Sequence, residues 1–204
     1  MTKIKSLFIS LVLTLGVSTA IAGSHGSTLD IVKERGKLMC GSNTGLAGFG
    51  NPNDAGVWEG IDVDVCRAVA AAVFGDANAV EFVPTTSKVR FTVLQSGEID
   101  MLSRNTTWTL QRDVELGLEF VGVNYYDGQG FMVRKDLGVS SATELDGASV
   151  CIQVGTTTEM NLADYFKAND MSYEPIPVET NSEADAAYLA GRCDIYTTDA
   201  SGLY

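Results

Sequence analysis

Residues 97–112 read GEIDMLSRNTTWTLQR. Gly97 is a helix stop, Ile99 to Leu102 a short strand, and the polar stretch after it ends in hydroxyls before a helix that carries Arg112. A strand entered from one helix and left toward another is the unit of a parallel α/β sheet. Asn105, Thr106 and Thr107 offer short hydrogen-bonding side chains, and Thr107 is placed to cap a helix starting at Trp108. The free N–H groups of that first turn carry partial positive charge. Arg112 adds a planar guanidinium that matches a carboxylate through two parallel hydrogen bonds. The segment reads either as half of a carboxylate receptor or as a capped helix with an exposed arginine.

Outward from this stretch, strand and helix alternate. On its N-terminal side come a helix Leu29–Glu34 stopped at Gly36, a strand Lys37–Cys40 and a glycine-rich loop Gly41–Gly60. A helix Asp62–Phe74, a strand Glu81–Thr85 and a helix Lys88–Gln95 follow, with Val65, Val69, Ala72 and Val73 at helical spacing in the first of these helices. The GxG at Gly48 lacks the full GxGxxG and no helix follows at the required spacing, which excludes a dinucleotide loop. On the C-terminal side, VGVNYYDGQGFMVRK (121–135) breaks the alternation as a hairpin or an extended crossover. The alternation restarts with strand Ser149–Val154, helix Glu159–Ala168, strand Tyr173–Val178, helix Glu183–Ala190 and strand Asp194–Thr198. LQSGEID (94–100) and LAGRCD (189–194) repeat one punctuation, a helix stopped at glycine and a strand opened by aspartate three residues later. The expectation is two α/β lobes, residues 23–125 and 126–204, each a mostly parallel sheet flanked by helices, joined near 121–135.

Lys3 and Lys5, the apolar run Leu7–Val17 and Ala20-Ile21-Ala22 read as a secretory leader over residues 1–22 cleaved near Ala22, which implies export. The run is too short for a comfortable transmembrane span. The formal charge of −12 becomes two units more negative once Lys3 and Lys5 are removed. That balance argues against nucleic acid and anionic membranes as partners, though a local site can oppose it. Cys40, Cys66, Cys151 and Cys193 in an exported chain read as disulfides. Spacing leaves three connectivities open, of which the local pairs Cys40–Cys66 and Cys151–Cys193 respect the two halves. With no CxxC and with His25 as the only histidine, neither a thioredoxin-type site, a histidine-rich metal site nor histidine catalysis is implied. No cofactor is implied either.

A second element mirrors the first. VGTTTE (154–159) lies between strand and helix, and Thr156 with Glu159 satisfies the S/T-x-x-E capping box. Such a helix start is friendly to anions, and both elements fall at strand carboxyl ends, where ligands collect in open α/β sheets. Asp199 follows the strand ending at Thr198. It reads as a turn or N-cap aspartate, or as the partner of an ammonium group. In the second case Arg112 and Asp199 hold the two charges of a zwitterion from opposite lobes.

GIDVDVCRAVA (60–70), LQSGEIDMLSRNTTWTLQRD (94–113), VGTTTE and GRCDIYTTD (191–199) resemble the family 3 periplasmic solute-binding proteins of amino-acid ABC transporters, and are most similar to the general L-amino-acid-binding branch. The resemblance covers nearly all of the chain after the leader. It implies the two-lobe periplasmic-binding-protein fold (type II), an L-amino acid bound between the lobes, inner-membrane permease subunits as partners, a periplasmic monomer and no enzymatic activity. It further implies that Asn105, Thr107 and Arg112 hold the ligand α-carboxylate, that Thr157 with its neighbour Thr156 contributes from the second lobe, and that Asp199 takes the α-ammonium. Where many members place an aspartate after the first strand, this chain has Asn43, which weakens preference for cationic side chains; Phe49 is the candidate covering aromatic. The family pattern also implies a segment beyond Tyr204 that returns to the first lobe, so the expectation is a first lobe lacking its returning elements and an incomplete second lobe. Because the same scaffold hosts other activities, an exported dehydratase of a small carboxylic acid is the alternative.

Overall fold

A computed structural model describes residues 26–204. The leader expected over residues 1–22 and His25 lie outside the described residues. The first helix, α1 (Thr28–Arg35), is capped by Ser27 in a reciprocal box with Asp30 and stopped by Gly36 at φ 77°. Strand β1 (Leu38–Ser42) follows. The expected structureless stretch from Gly41 to Gly60 instead contains a small antiparallel hairpin, β2 (Asn51–Pro52) and β3 (Trp58–Glu59). Its turn is tied by the Asn53 side chain, which accepts from the Ala55 and Val57 N–H groups. The Trp58 ring stacks on Phe82 with centroids 5.2 Å apart, which anchors the hairpin to the sheet.

Helix α2 (Ile61–Phe74) buries Val63, Cys66 and Ala70, and Cys66 is disulfide-bonded to Cys40 of β1. Strand β4 (Val80–Pro84), helix α3 (Arg90–Gln95) and strand β5 (Met101–Leu102) complete a parallel sheet of order β4-β1-β5. Helix α3 begins two residues later than predicted, and β5 forms a ladder over only two residues. The core of this lobe is Val32, Leu38, Cys40, Cys66 and Ala70.

Residues 121–128 contain no regular element and lead into β6 (Gln129–Val133). The segment is thus an extended crossover rather than a hairpin, because β6 pairs with a distant strand. The second sheet has the order β6-β9-β7-β8, formed with β7 (Ser149–Gln153), β8 (Glu174–Val178) and β9 (Ile195–Asp199); β6 alone runs antiparallel to its neighbour. Helix α4 (Thr157–Ala168) covers the face of Val150, Ile152 and Ile195 through Leu162 and Phe166. Helix α5 (Asn181–Leu189) covers the opposite face of Cys151 and Tyr196 through Ala184, Ala187 and Tyr188. Coverage on both faces explains why β7 and β9 are almost continuously buried. The second disulfide, Cys151–Cys193, ties β7 to the turn between α5 and β9, so both local pairings hold.

Both second-lobe helices start two residues before the predicted glutamates. Their caps are Thr156 and Thr180, and Glu159 and Glu183 occupy the third helical position, where their N–H groups reach the cap hydroxyls. Replacing Thr180 by alanine removes a complete capping box and is expected to cost about 1 kcal/mol, read as a lower urea midpoint at unchanged slope.

The repeated punctuation has one physical cause in both lobes. Gly97 and Gly191 end helical turns at φ 77° and 72°. The next aspartate then clamps an interior strand of its sheet, β1 or β7: the Asp100 carboxylate accepts from Met39 N–H at 2.7 Å, and the Asp194 carboxylate accepts from Ser149 N–H at 2.9 Å. Hydrogen bonds from the Ser149 hydroxyl and N–H hold the Asp194 carboxyl below its ordinary value.

Candidate functional site

The loop leaving β5 brings Ser103, Arg104, Asn105, Thr106 and Thr107 to the carboxyl end of the first sheet, facing the start of α4. The expected helix at Trp108 is displaced. The backbone stays irregular through Thr109 and then forms a single π-helical turn, Gln111–Glu115. Thr109, not Thr107, accepts from Arg112 N–H, at 3.2 Å. Thr107 is drawn away because its carbonyl accepts from Arg112 Nη1 at 2.7 Å and its hydroxyl lies 3.1 Å from that of Thr157 across the cleft.

Arg112 is buried, contrary to the exposed-arginine reading, and its guanidinium lies over the Phe91 ring at 5.1 Å. Burial pushes its pKa down, and Asp199 opposes that shift. Asp199 ends β9 and makes no side-chain cap bond to the 3₁₀ turn Ala200–Leu203, which removes the N-cap reading. Desolvation pushes the Asp199 carboxyl up, Asp127 adds to the shift, and Arg90 and Arg112 oppose it.

Asn105, Thr107, Thr157 and Asp199 share one cavity of about 1170 Å³, with Arg104 and Phe49 also on its walls. Phe49 meets Tyr125 edge-on, 4.9 Å between centroids. Thr156 and Asn43 stand differently. The Thr156 hydroxyl is occupied within the helix start, donating to Gln153 O at 2.7 Å and accepting from Glu159 N–H at 3.1 Å. The reciprocal half of the predicted box is shifted by one residue, since the Glu159 carboxylate accepts from Gly155 N–H at 2.8 Å. Asn43 is buried and fully engaged. Its amide donates to Asn105 Oδ1 at 3.0 Å and to Asn181 Oδ1 at 3.2 Å, while its oxygen accepts from Thr44 and Gly45 N–H. Asn43 therefore bridges one lobe to the other and is not on the cavity wall.

Sequence reasoning passed over Arg90 and Arg104. Arg90 is only 1% exposed; it donates to Asn105 O at 3.1 Å, to Thr106 Oγ1 at 3.3 Å and across the cleft to Gly155 O at 3.2 Å. Its guanidinium also lies over the Phe91 ring, at 4.8 Å. Arg104 is 5% exposed and donates to Ser87 Oγ at 3.3 Å and Asn105 Oδ1 at 3.0 Å. The signal for both was position, since each lies just beyond or within a loop at a strand's carboxyl end.

Comparison with known proteins agrees with this geometry. Residues 38–197 match the model of the bacterial extracellular solute-binding proteins, family 3. The chain is 60% identical over 191 residues to the glutamate/glutamine/aspartate/asparagine-binding protein BztA of Rhodobacter capsulatus, covering 93% of this chain and 56% of that protein. It is 61% identical over 193 residues to the general L-amino acid-binding periplasmic protein AapJ of Rhizobium johnstonii, covering 95% of this chain and 55% of that one. Among solved structures, an ABC transporter periplasmic binding protein from Brucella ovis with glutathione bound superposes with a TM-score of 0.83 at 60% identity, covering 88% of this chain and 57% of that chain. The chain thus spans a little over half the length of these relatives. An alternating α/β chain with two sheets facing one cleft, matched by the family model over most of its described length, belongs to the bacterial extracellular solute-binding proteins, family 3.

Proposed function

We propose that this chain supplies the ligand-gripping part of the periplasmic substrate-binding component of an amino-acid ABC transporter. The protein takes an L-amino acid between lobes 23–125 and 126–204, which close about the 121–135 crossover, and as a monomer delivers it to permease subunits in the inner membrane. The observation that carries this reading is a buried guanidinium, Arg112, in no ion pair among the described residues and within electrostatic reach of the half-buried carboxylate Asp199 on the cavity wall. In this reading Arg112, Asn105, Thr107 and Thr157 hold the α-carboxylate and Asp199 takes the α-ammonium. Thr156 and Asn43 support the site through the helix start and the inter-lobe bridge. The names of BztA and AapJ favour amino acids as ligands, and glutathione belongs in the same screen because of the Brucella neighbour.

Calorimetry of the full-length protein against the common L-amino acids and glutathione tests the proposal; no binding at millimolar ligand sinks it. The pH dependence has a defined sign. Asp199 attracts an ammonium only when ionised, and its pKa is raised by desolvation and Asp127. Affinity is therefore full above that raised value and falls about tenfold per pH unit below it, beginning at higher pH than for an exposed aspartate. Asp199→Asn flattens this profile as well as weakening binding. A profile unchanged by the substitution removes Asp199 from the site.

A dehydratase reading has one observation in its favour, the raised Asp199 carboxyl in the cleft; a structural neighbour described as a precursor of cyclohexadienyl dehydratase is itself described as an ancestral amino acid-binding protein. The reading needs a second acid or base, and Glu159 is held on Gly155 N–H. Turnover of a prephenate-like acid by the full-length protein would establish it.

A further inference from the structure

We infer that Phe91 is a positioning residue for the carboxylate grip: its ring fixes the Arg112 guanidinium in the orientation in which it takes the ligand. This rests on the assignment of the α-carboxylate to Arg112 above and deepens it.

Arg112 is buried, yet its own stretch of chain does little to hold its head group. Its backbone carrier is the single π-helical turn Gln111–Glu115, which follows irregular chain through Thr109. Among the described residues the guanidinium makes one hydrogen bond, from Nη1 to Thr107 O at 2.7 Å, and no ion pair. One bond pins one atom and leaves the plane of the fork free to swing about it. The remaining contact is the Phe91 ring, over which the Arg112 Cζ lies at 5.1 Å from the centroid. An aromatic face attracts a cation, and a guanidinium resting over it keeps the N–H groups at its edge free to donate. Desolvation strengthens that attraction, and Arg112 is 5% exposed.

A phenylalanine at the second position of α3 would ordinarily be a core side chain. Phe91 is not one. Among the described residues it joins none of the apolar clusters of either lobe and pairs with no other ring. It stands on the cavity wall, as do Thr107 and Thr109, the two residues that hydrogen-bond Arg112. The ring also carries Arg90, its neighbour in sequence, at 4.8 Å. Two guanidiniums over one ring repel each other: burial, then Arg104 and Arg112, push the Arg90 pKa down. Arg90 is fixed by Asn105 O, Thr106 Oγ1 and Gly155 O. Arg112 is therefore the cation that yields when the ring is removed.

The test is calorimetry of the full-length protein with its preferred L-amino acid. Phe91→Leu, which keeps apolar bulk and loses the aromatic face, is expected to weaken binding roughly tenfold, and Phe91→Tyr to stay within about threefold. In an Arg112→Gln background, Phe91→Leu is expected to cost less than about twofold, because the ring then has no cation there to hold. An equal loss in both backgrounds overturns the proposal, as does an equal loss from leucine and tyrosine; the ring then serves the fold or touches the ligand itself. If Phe91→Leu does not fold, Phe91→Met takes its place. Failure of every amino acid to bind the natural protein is a different result, which removes the α-carboxylate reading. The hold on Arg112 is then read by NMR of its guanidinium nitrogens: their rotation is expected to quicken in Phe91→Leu, and an unchanged rate overturns the inference.

Discussion

Arg112→Ala in the full-length protein is expected to raise the Kd for the preferred L-amino acid at least roughly a hundredfold, about 3 kcal/mol, as measured by calorimetry. Among the described residues the Arg112 guanidinium makes one hydrogen bond, from Nη1 to Thr107 O, so the rest of its fork is available to a ligand. Alanine also removes the clamp on the Thr107 carbonyl, which frees the loop that carries Asn105 and Thr107 toward the cavity. Fold stability is expected to change little by comparison, because a buried guanidinium without an ion pair contributes little net stabilisation. A variant that binds as the natural protein does, with its thermal midpoint intact, would falsify the role given to Arg112.

Gly60→Ala is expected to destabilise the chain by roughly 3–5 kcal/mol, the largest stability effect of any single methyl group proposed here. Gly60 is the N-cap of α2 at φ 120° and ψ 168°, a region essentially restricted to glycine. A Cβ there also overlaps the carbonyl of Phe49. That carbonyl cannot retreat freely, because it accepts from Asp62 N–H at 3.0 Å while Gly48 O accepts from Ile61 N–H at 2.9 Å. The methyl group thus strains one residue and breaks the start of the helix that carries Cys66. Gly75→Ala is the control: it too has positive φ, 73°, but its Cβ would meet nothing within 4 Å. If both substitutions lower the urea midpoint equally, the steric part of the explanation is wrong.

Much of the fold was legible because local signals agreed. Glycine stops at Gly97 and Gly191 and the strand-opening Asp100 and Asp194 marked the two lobes, and each aspartate turned out to clamp the strand beside the one it opens. The hairpin within the glycine-rich loop was hidden, since its turn depends on the Asn53 side chain and its attachment on Trp58 meeting Phe82 from another strand. The helix starts at Thr157 and Asn181 lie two residues before the expected Glu159 and Glu183; the Thr156–Glu159 box was legible, but the matching Thr180 cap was not read. In the site, Asn105, Thr107, Thr157 and Asp199 were readable as hydroxyl, amide and acid at strand ends, and all four share the cavity. Asn43 looked the same in sequence but is occupied between Asn105 and Asn181. Arg90 and Arg104 were marked only by their place near strand carboxyl ends. Whether a guanidinium is surface or interior depends on which loops fold over it, and no one-dimensional pattern records that.

The contacts that span the cleft also set a clock. Arg90 holds Gly155 O, Asn43 holds Asn181, and the hydroxyls of Thr107 and Thr157 touch. Anything enclosed between the lobes leaves only after these bonds part, whether or not they touch it. Residence time is then governed partly by residues with no say in what is bound, so a substitution such as Asn181→Ala shortens the bound lifetime for every ligand alike while leaving their ranking intact. In the proposed receptor role, where cargo passes to another protein, such a release rate is adjustable apart from the choice of cargo.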